Sequence, residues 1–252
     1  MIHFSENQTF LVTGASRGIG AATARILLEA GASVVGSYNS SEGALADLKA
    51  EFGSDRLLAV KANLGEVGAG KALWAQAMAF KGGLSGLVNN AGIMPETPLD
   101  MDDDSWHQAW ADVMAVNVQA VADLCREAIR DFGAAGGGRI VTIASRASFR
   151  GDGPEYLNYA ASKGAVVSLM RSIARGFADK GIYAFTIAPG WVKTDMAAVA
   201  FEPGNEWMLK EVPMGAAAPP ENIGSMVAFF LSGLIDHSTG CTIDINGASY
   251  VR

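Results

Sequence analysis

Tyr159 and Lys163 stand four residues apart in an Ala-rich stretch, a spacing that places both side chains on one face of a helix, one turn from each other. A phenol next to an ammonium group could pass a proton to or from the oxygen of a carbonyl or an alcohol, with the cation favouring the phenolate. Tyrosine ordinarily titrates near 10, and bringing it to about 7 takes roughly 4 kcal/mol. One unit charge at about 4 Å supplies roughly that amount where the effective dielectric is near 20. The expectation is therefore a lowered Tyr159. Alone, Tyr-x-x-x-Lys is more often an ordinary amphipathic pair, so its surroundings matter. Ser145 ends the apolar run Ile140 to Ala144, Asn117 falls in a helical stretch upstream, and Pro189-Gly190 follows a later apolar run.

A second constellation lies near the start, where Thr13-Gly14-Ala15-Ser16-Arg17-Gly18-Ile19-Gly20 separates a short apolar run from an Ala-rich helix. Glycine is favoured where a phosphate must come close to the backbone at the positive end of a helix, and Gly14, Gly18 and Gly20 supply that freedom. The bland alternative is a tight strand-to-helix turn. Placement at the first strand-helix junction favours a dinucleotide cradle. At the end of the second strand, Val34 to Ser41 contains no Asp or Glu, whereas NAD-preferring sites commonly carry an acid there for the ribose hydroxyls. Arg17 could pair with the extra phosphate of NADP(H). NADP(H) is thus favoured and NAD(H) possible, because Arg17 could instead be a solvated loop residue while Ser37, Asn39 or Ser40 accommodates either cofactor.

These residues need a scaffold, and the chain alternates short β-branched or aromatic runs with longer Ala-rich stretches throughout. That is the pattern of an α/β fold with a doubly wound, Rossmann-type sheet of about seven parallel strands flanked by helices. Strands are expected at Thr9 to Thr13, Ser33 to Ser37, Leu57 to Lys61, Gly86 to Asn89, Arg139 to Ala144, Ala184 to Ala188 and Thr242 to Ile245. Helices are expected near Ile19 to Ala30, Glu42 to Phe52, Gly68 to Phe80, Ser105 to Phe132, Tyr156 to Asp179 and Pro220 to Leu231. Gly133 to Gly138 reads as a helix-to-strand loop, and the acidic Asp102-Asp103-Asp104 as a helix start stabilised by the dipole rather than a metal site. No stretch resembles a linker, so residues 1–252 read as a single dinucleotide-binding and catalytic domain.

Composition agrees. Half of the residues are apolar and 18% are charged, too apolar for disorder. The net charge of −7 argues against a nucleic-acid or anionic-membrane surface. Cys125 and Cys241 read as two buried thiols, and His3, His107 and His237 occur in no ligand spacing, so no metal site is expected. The chain shows neither a basic, apolar leader nor an apolar run long enough to span a membrane, which points to the reducing cytoplasm.

Taken in order, Gly14 to Gly20, Asn89-Asn90-Ala91-Gly92, Asn117, Ser145, Tyr159, Lys163 and Pro189-Gly190 resemble the short-chain dehydrogenase/reductase family over nearly the whole chain, in particular its 3-oxoacyl-carrier-protein reductase-like branch. The resemblance implies Tyr159 as general acid/base, Lys163 as its electrostatic activator and a ribose ligand, Ser145 as the anchor of the carbonyl oxygen and Asn117 as support for a proton relay. It implies cofactor contacts from Gly14, Ser16, Arg17, Gly18, Ile19, Gly20, Ser37, Asn39, Asn63, Leu64, Asn90, Ala91, Gly92, Pro189, Gly190, Val192 and Thr194. It also implies a homotetramer or homodimer. The sequence departs from the pattern at Asn63, where the family usually has an adenine-binding Asp, and at Asn39, where many NADP-preferring relatives carry a basic residue. Ser145 lies fourteen residues before Tyr159, one more than the commonest spacing, and leaves Ser148 as a rival.

The activity this implies is hydride transfer between a nicotinamide cofactor and a small carbonyl or alcohol substrate. Alternatives are a non-catalytic NADP(H)-binding sensor or scaffold, and a sugar-nucleotide epimerase, which usually needs a longer C-terminal substrate region. The segment near 197–218, with Phe201, Trp207, Met208 and Met214, resembles the family's substrate-covering region, and Met94, Tyr156 and Trp191 are candidates to touch substrate. Arg146 and Arg150 read more readily as solvent-facing loop charges than as contacts to an anionic substrate.

Overall fold

The computed structural model describes residues 2–252, apart from the side chains of Val199 and Glu206. Strands β1 (Thr9–Val12), β2 (Ser33–Tyr38), β3 (Leu57–Lys61), β4 (Gly86–Asn89), β5 (Gly138–Ile143), β6 (Ile182–Pro189) and β7 (Thr242–Ile245) form one seven-stranded sheet in the order β3-β2-β1-β4-β5-β6-β7. All neighbours pair in parallel. The helices are α1 (Gly18–Glu29), α2 (Ala44–Phe52), α3 (Ala69–Ala79), α4 (Asp103–Met114), α5 (Ala120–Ala135), α6 (Ala147–Arg150), α7 (Leu157–Phe177), α8 (Glu206–Lys210) and α9 (Pro220–Leu231).

Alternation along the strands supplies one core on each face of the sheet. Phe10, Val12 and Val34 face α1, α2 and α9, and join Leu27, Leu45 and Phe230. Leu11 and Val35 face the other way, with Leu73, Leu124 and Val166 of α3, α5 and α7. Parallel strands buried on both sides bring their carboxyl ends to one edge, and the winding reverses between β1 and β4, where a crevice opens.

Three expectations need correction. The single helix expected over Ser105 to Phe132 is two, α4 and α5, joined by a π-helical turn at Ala115–Gln119 that contains Asn117. Such a widened turn takes in an extra residue while the chain stays helical, so the continuous run of helix-forming residues does not mark it. The loop expected at Gly133 to Gly138 shrinks, because α5 runs on to Ala135 and stops at Gly136, whose φ of 90° ends the helix. At the other end β5 already starts at Gly138, leaving Gly136-Gly137 as the connection. Cys125 is buried as expected, but Cys241 is only partly covered. The acidic triplet acts as foreseen: Asp102 accepts a hydrogen bond from the Ser105 amide at 3.0 Å and caps α4. Among the described residues no helix is long and apolar enough to cross a membrane.

Candidate active site

The crevice is a cleft of about 650 Å³ running over the carboxyl ends of the strands. At its phosphate-cradle end, the backbone turns at Gly14 and Gly18, with φ of +63° and +54°. A Cβ on Gly14 would lie 3.0 Å from Ala91 Cα, and one on Gly18 would lie 3.0 Å from Thr194 Cγ2. Helix α1 starts there with no side-chain cap and no acidic residue in its first turn, so its first amides are open to an external anion. This glycine cradle before an uncapped helix fits a dinucleotide pyrophosphate.

Neighbouring residues hold the loop in shape. Gly14 N–H donates to Ser37 Oγ at 3.3 Å and Ala15 N–H to the Ser37 carbonyl at 2.8 Å, tying the loop to the end of β2. Asn90 Nδ2 donates to the carbonyls of Thr13 and Gly14 at 2.8 and 3.0 Å, while Thr13 Oγ1 accepts from the amides of Asn90 and Ala91 at 2.9 and 3.0 Å. The Asn90-Ala91 turn is thereby stitched to the glycine loop across the switch point. Gly20 does not line the cleft. It sits behind the loop, where a Cβ would strike the Gly14 carbonyl and come within 2.6 Å of Asn90 Nδ2.

Ser16, Arg17, Ile19, Asn39, Asn63, Leu64, Gly92, Pro189, Gly190, Val192 and Thr194 also line the cleft. Arg17 is well exposed and pairs with Asp195 at 3.3 Å across the mouth, a contact that water largely screens. Asn63 spends its amide locally, donating to Glu66 Oε1 at 2.9 Å and accepting from Gly65 N–H at 3.2 Å.

At the opposite end α7 brings Tyr159 and Lys163 to the cleft, both buried. Lys163 Nζ donates to the Ile143 carbonyl at 2.9 Å and lies 5.7 Å from the centre of the Tyr159 ring. Ser145, two residues past Ile143, lines the cleft together with Tyr159, and its hydroxyl draws the phenol pKa down. Its Oγ also accepts from Ala147 N–H at 3.1 Å. Ser148 does not line the cleft, and its buried hydroxyl meets no partner among the described residues. The structure thus brings Ser145, not Ser148, to the phenol.

Asn117 lies behind this wall. Its Oδ1 accepts from Ile93 N–H at 2.9 Å, and its Nδ2 donates to the Ile93 carbonyl at 2.9 Å and to Ser162 Oγ at 3.0 Å. Ser162 in turn donates to the Tyr159 carbonyl at 2.7 Å. Asn117 therefore links the π-turn to the first turns of α7. It also converges with the lysine on Gly92, where a Cβ would sit 3.3 Å from Asn117 Oδ1 and 3.4 Å from Lys163 Nζ.

The electrostatics differ from the expectation of a lowered tyrosine. Burial pushes the Tyr159 phenol up to about 12, with the Ser145 hydrogen bond pulling down and the Asp152 charge adding to the rise. Burial likewise brings Lys163 down to about 8. Desolvation disfavours both charges and outweighs the attraction invoked from spacing alone.

Met94, Tyr156, Trp191 and Met208 line the cleft, whereas Phe201, Trp207 and Met214 do not and are exposed. Sequence reasoning missed Asp152 and Ile93, which also line it. Asp152 lies in a Gly-flanked loop that no motif marks, while Ile93 directly follows the Asn89 to Gly92 turn and could have been found from it. Arg146 also differs from expectation: it is 5% exposed and lines the cleft, since it packs over Trp191 and pairs with Glu211. Arg150, exposed as expected, reaches the same carboxylate at 3.5 Å.

A doubly wound parallel sheet with a glycine cradle at its switch point and a Ser-Tyr-Lys cluster across the cleft defines a Rossmann-type nucleotide-binding fold with an active-site-like wall. Residues 14–248 match the family model described as enoyl-(acyl carrier protein) reductase. The 3-oxoacyl-[acyl-carrier-protein] reductase FabG of Vibrio cholerae is 33% identical over 246 residues, covering 98% of each chain. A dehydrogenase/reductase from Sinorhizobium meliloti superposes with a TM-score of 0.89 at 30% identity, over 99% of this chain and 97% of the other. A short-chain dehydrogenase from Burkholderia cenocepacia, solved with NADP, gives 0.87 at 30% identity over 97% and 98%. The chain belongs to the short-chain dehydrogenase/reductase family, in its 3-oxoacyl-carrier-protein reductase-like branch.

Proposed function

We propose that the protein is an oxidoreductase that moves a hydride between NADP(H) and a ketone or secondary alcohol, with Tyr159 as the general acid/base. The observation that carries this reading is the convergence of Ser145, Tyr159 and Lys163 on the wall of the same cleft that holds the glycine cradle. Gly14, Ser16, Arg17, Gly18 and Ile19 would hold the phosphates, Ser37, Asn39, Asn63 and Leu64 the adenosine end, and Pro189, Gly190, Val192 and Thr194 the nicotinamide end. Gly20, behind the loop, keeps that cradle closed. Bound there, the cofactor supplies the hydride. The absence of a carboxylate from the cleft-lining residues between Ser37 and Ser41 favours NADP(H), as does the NADP found in the Burkholderia relative.

In the reducing direction Tyr159 gives its hydroxyl proton to the substrate oxygen as the carbonyl carbon gains the hydride and becomes an alcohol carbon. A phenol kept neutral by burial is the form this step requires. Ser145 donates to the same oxygen as charge develops on it. Lys163, charged and near the ring, steadies the phenolate left behind, and Asn117 positions α7 through Ser162. Oxidation of an alcohol reverses these transfers.

A paired NADH and NADPH screen over varied ketones and alcohols tests the proposal, with Tyr159→Phe as control. Turnover with at least one compound, lowered about 100-fold or more in the variant while NADPH still binds, is the expected result. Tight cofactor binding with no turnover in either direction would instead point to a sensor.

A further inference from the structure

Arg146 directly follows Ser145, and its guanidinium lies 5.5 Å from the centre of the Trp191 ring on the cleft wall. Nη2 donates to Glu211 Oε2 at 3.2 Å. Nη1 is buried and meets no acceptor among the described residues, and the same holds for the indole N–H of Trp191. Two neighbouring buried donors without acceptors are unusual, since buried polar groups are nearly always paired. They mark a place where an acceptor belongs.

The charges point to an anion. Glu211 is one carboxylate shared by the guanidiniums of Arg146 and Arg150, which leaves one positive charge over in that trio. Asp152, elsewhere on the cleft wall, offsets it in part: Glu211 and Asp152 support the Arg146 charge, while burial and Arg150 oppose it. Glu211 follows α8 in the segment near 197–218 and engages Arg146 through Nη2 alone. A guanidinium can hold a carboxylate through two parallel hydrogen bonds, so this contact leaves part of the fork unused.

We propose that Arg146, with the Trp191 indole N–H, recognises a carboxylate on the substrate, and that Glu211 holds this place until the substrate carboxylate replaces it. The inference rests on the oxidoreductase reading above and names its substrate class: oxo acids and the matching hydroxy acids. Arg146 and Trp191 line the same cleft as Ser145 and Tyr159, so a small molecule with its ketone oxygen at that pair carries its carboxylate within the cavity they share. Glu211 is 37% exposed at its side chain and can turn out to water. Arg146 stays, because its amide donates to the Pro189 carbonyl at 2.9 Å and its side chain is packed on Trp191.

The test compares pyruvate, acetoacetate and levulinate with their methyl esters, and both sets with uncharged ketones, by kcat/KM and by calorimetric binding to the NADPH-loaded and cofactor-free protein. At least one acid should exceed its ester about tenfold or more. Arg146→Gln should erase that ratio, and Glu211→Gln should raise it. If Arg146→Gln does not fold, Glu211→Gln decides alone. Equal acid and ester values for all three pairs, or a ratio unmoved or lowered by Glu211→Gln, overturn the proposal. Reduction of uncharged ketones without acid preference sinks this inference alone. No turnover with any ketone sinks the oxidoreductase reading, and the calorimetric ratio then still decides whether Arg146 binds a carboxylate.

Discussion

Lys163 on α7 is hydrogen-bonded through Nζ to the main-chain carbonyl of Ile143, the last residue of β5, at 2.9 Å. This bond pins α7 to the sheet two residues before Ser145. It also holds a buried cation whose partner is neutral, and that has a thermodynamic signature.

Lys163 titrates at about 8 in the folded chain, below its ordinary 10.5. Below the folded value both states keep the proton and burial of the charge opposes folding. Between the two values the folded chain releases a proton that the unfolded chain retains, so stability rises with pH. Relative to Lys163→Met, the cofactor-free wild type should therefore gain stability from about pH 8 to 9.5, on the order of 2 kcal/mol. Tyr159, pushed up to about 12, stays out of this window because both its folded and ordinary values lie above it. Urea unfolding of both proteins at several pH values measures the gain, and a constant difference would contradict the buried charge.

Ser145 and Ser148 should separate cleanly. Ser145→Ala removes the hydroxyl on the Tyr159 wall of the cleft and should lower kcat about 100-fold, with a loss of about 1 kcal/mol in stability from the lost Ala147 amide bond. Ser148→Ala removes a buried, unpartnered hydroxyl and should leave the rate intact while holding or slightly raising the melting temperature. The reverse ranking of rates would move the carbonyl anchor to Ser148.

Gly18→Ala places a Cβ at a φ of +54° and against Thr194. The left-handed conformation costs a non-glycine residue about 1 kcal/mol, and the added methyl sits at the mouth of the cradle. NADPH affinity, read by fluorescence titration, should fall about tenfold or more with only a small drop in melting temperature. Unchanged affinity would remove this loop from the cofactor site.

Asn117→Leu should destabilise the chain by about 3 kcal/mol, because it strands the amide and carbonyl of Ile93 and takes away the donor to Ser162 Oγ, which keeps only its own bond to the Tyr159 carbonyl. Denaturant melts check this. A cost below about 1 kcal/mol would mean that the π-turn is held by something other than its asparagine.

The fold was legible because its signals are local: strand runs such as Val34-Val35 and the Gly14 to Gly20 turn declare themselves within a few residues. The cleft partners of Tyr159 and Lys163 followed from their placement at strand ends. What stayed hidden depends on distant neighbours or on small changes in geometry. The π-turn at Asn117 changes which carbonyl each amide meets while the run of helix-forming residues continues, and Arg146 is buried by Trp191 and Glu211, far along the chain. The Tyr159 titration went the opposite way because spacing reveals the nearby lysine but not how thoroughly both groups are desolvated.

The segment over the cleft begins and ends at one point. Ala218 pairs with Val192, its amide donating to the Trp191 carbonyl at 2.8 Å and its carbonyl accepting from Lys193 N–H at 2.9 Å. Such a clasp makes residues 193–217 a self-closed cassette. Its ties to the rest of the cleft run through Thr194 beside Gly18, Asp195 with Arg17 and Glu211 with Arg146, so an exchange that keeps those three residues would leave the sheet and the glycine loop in shape.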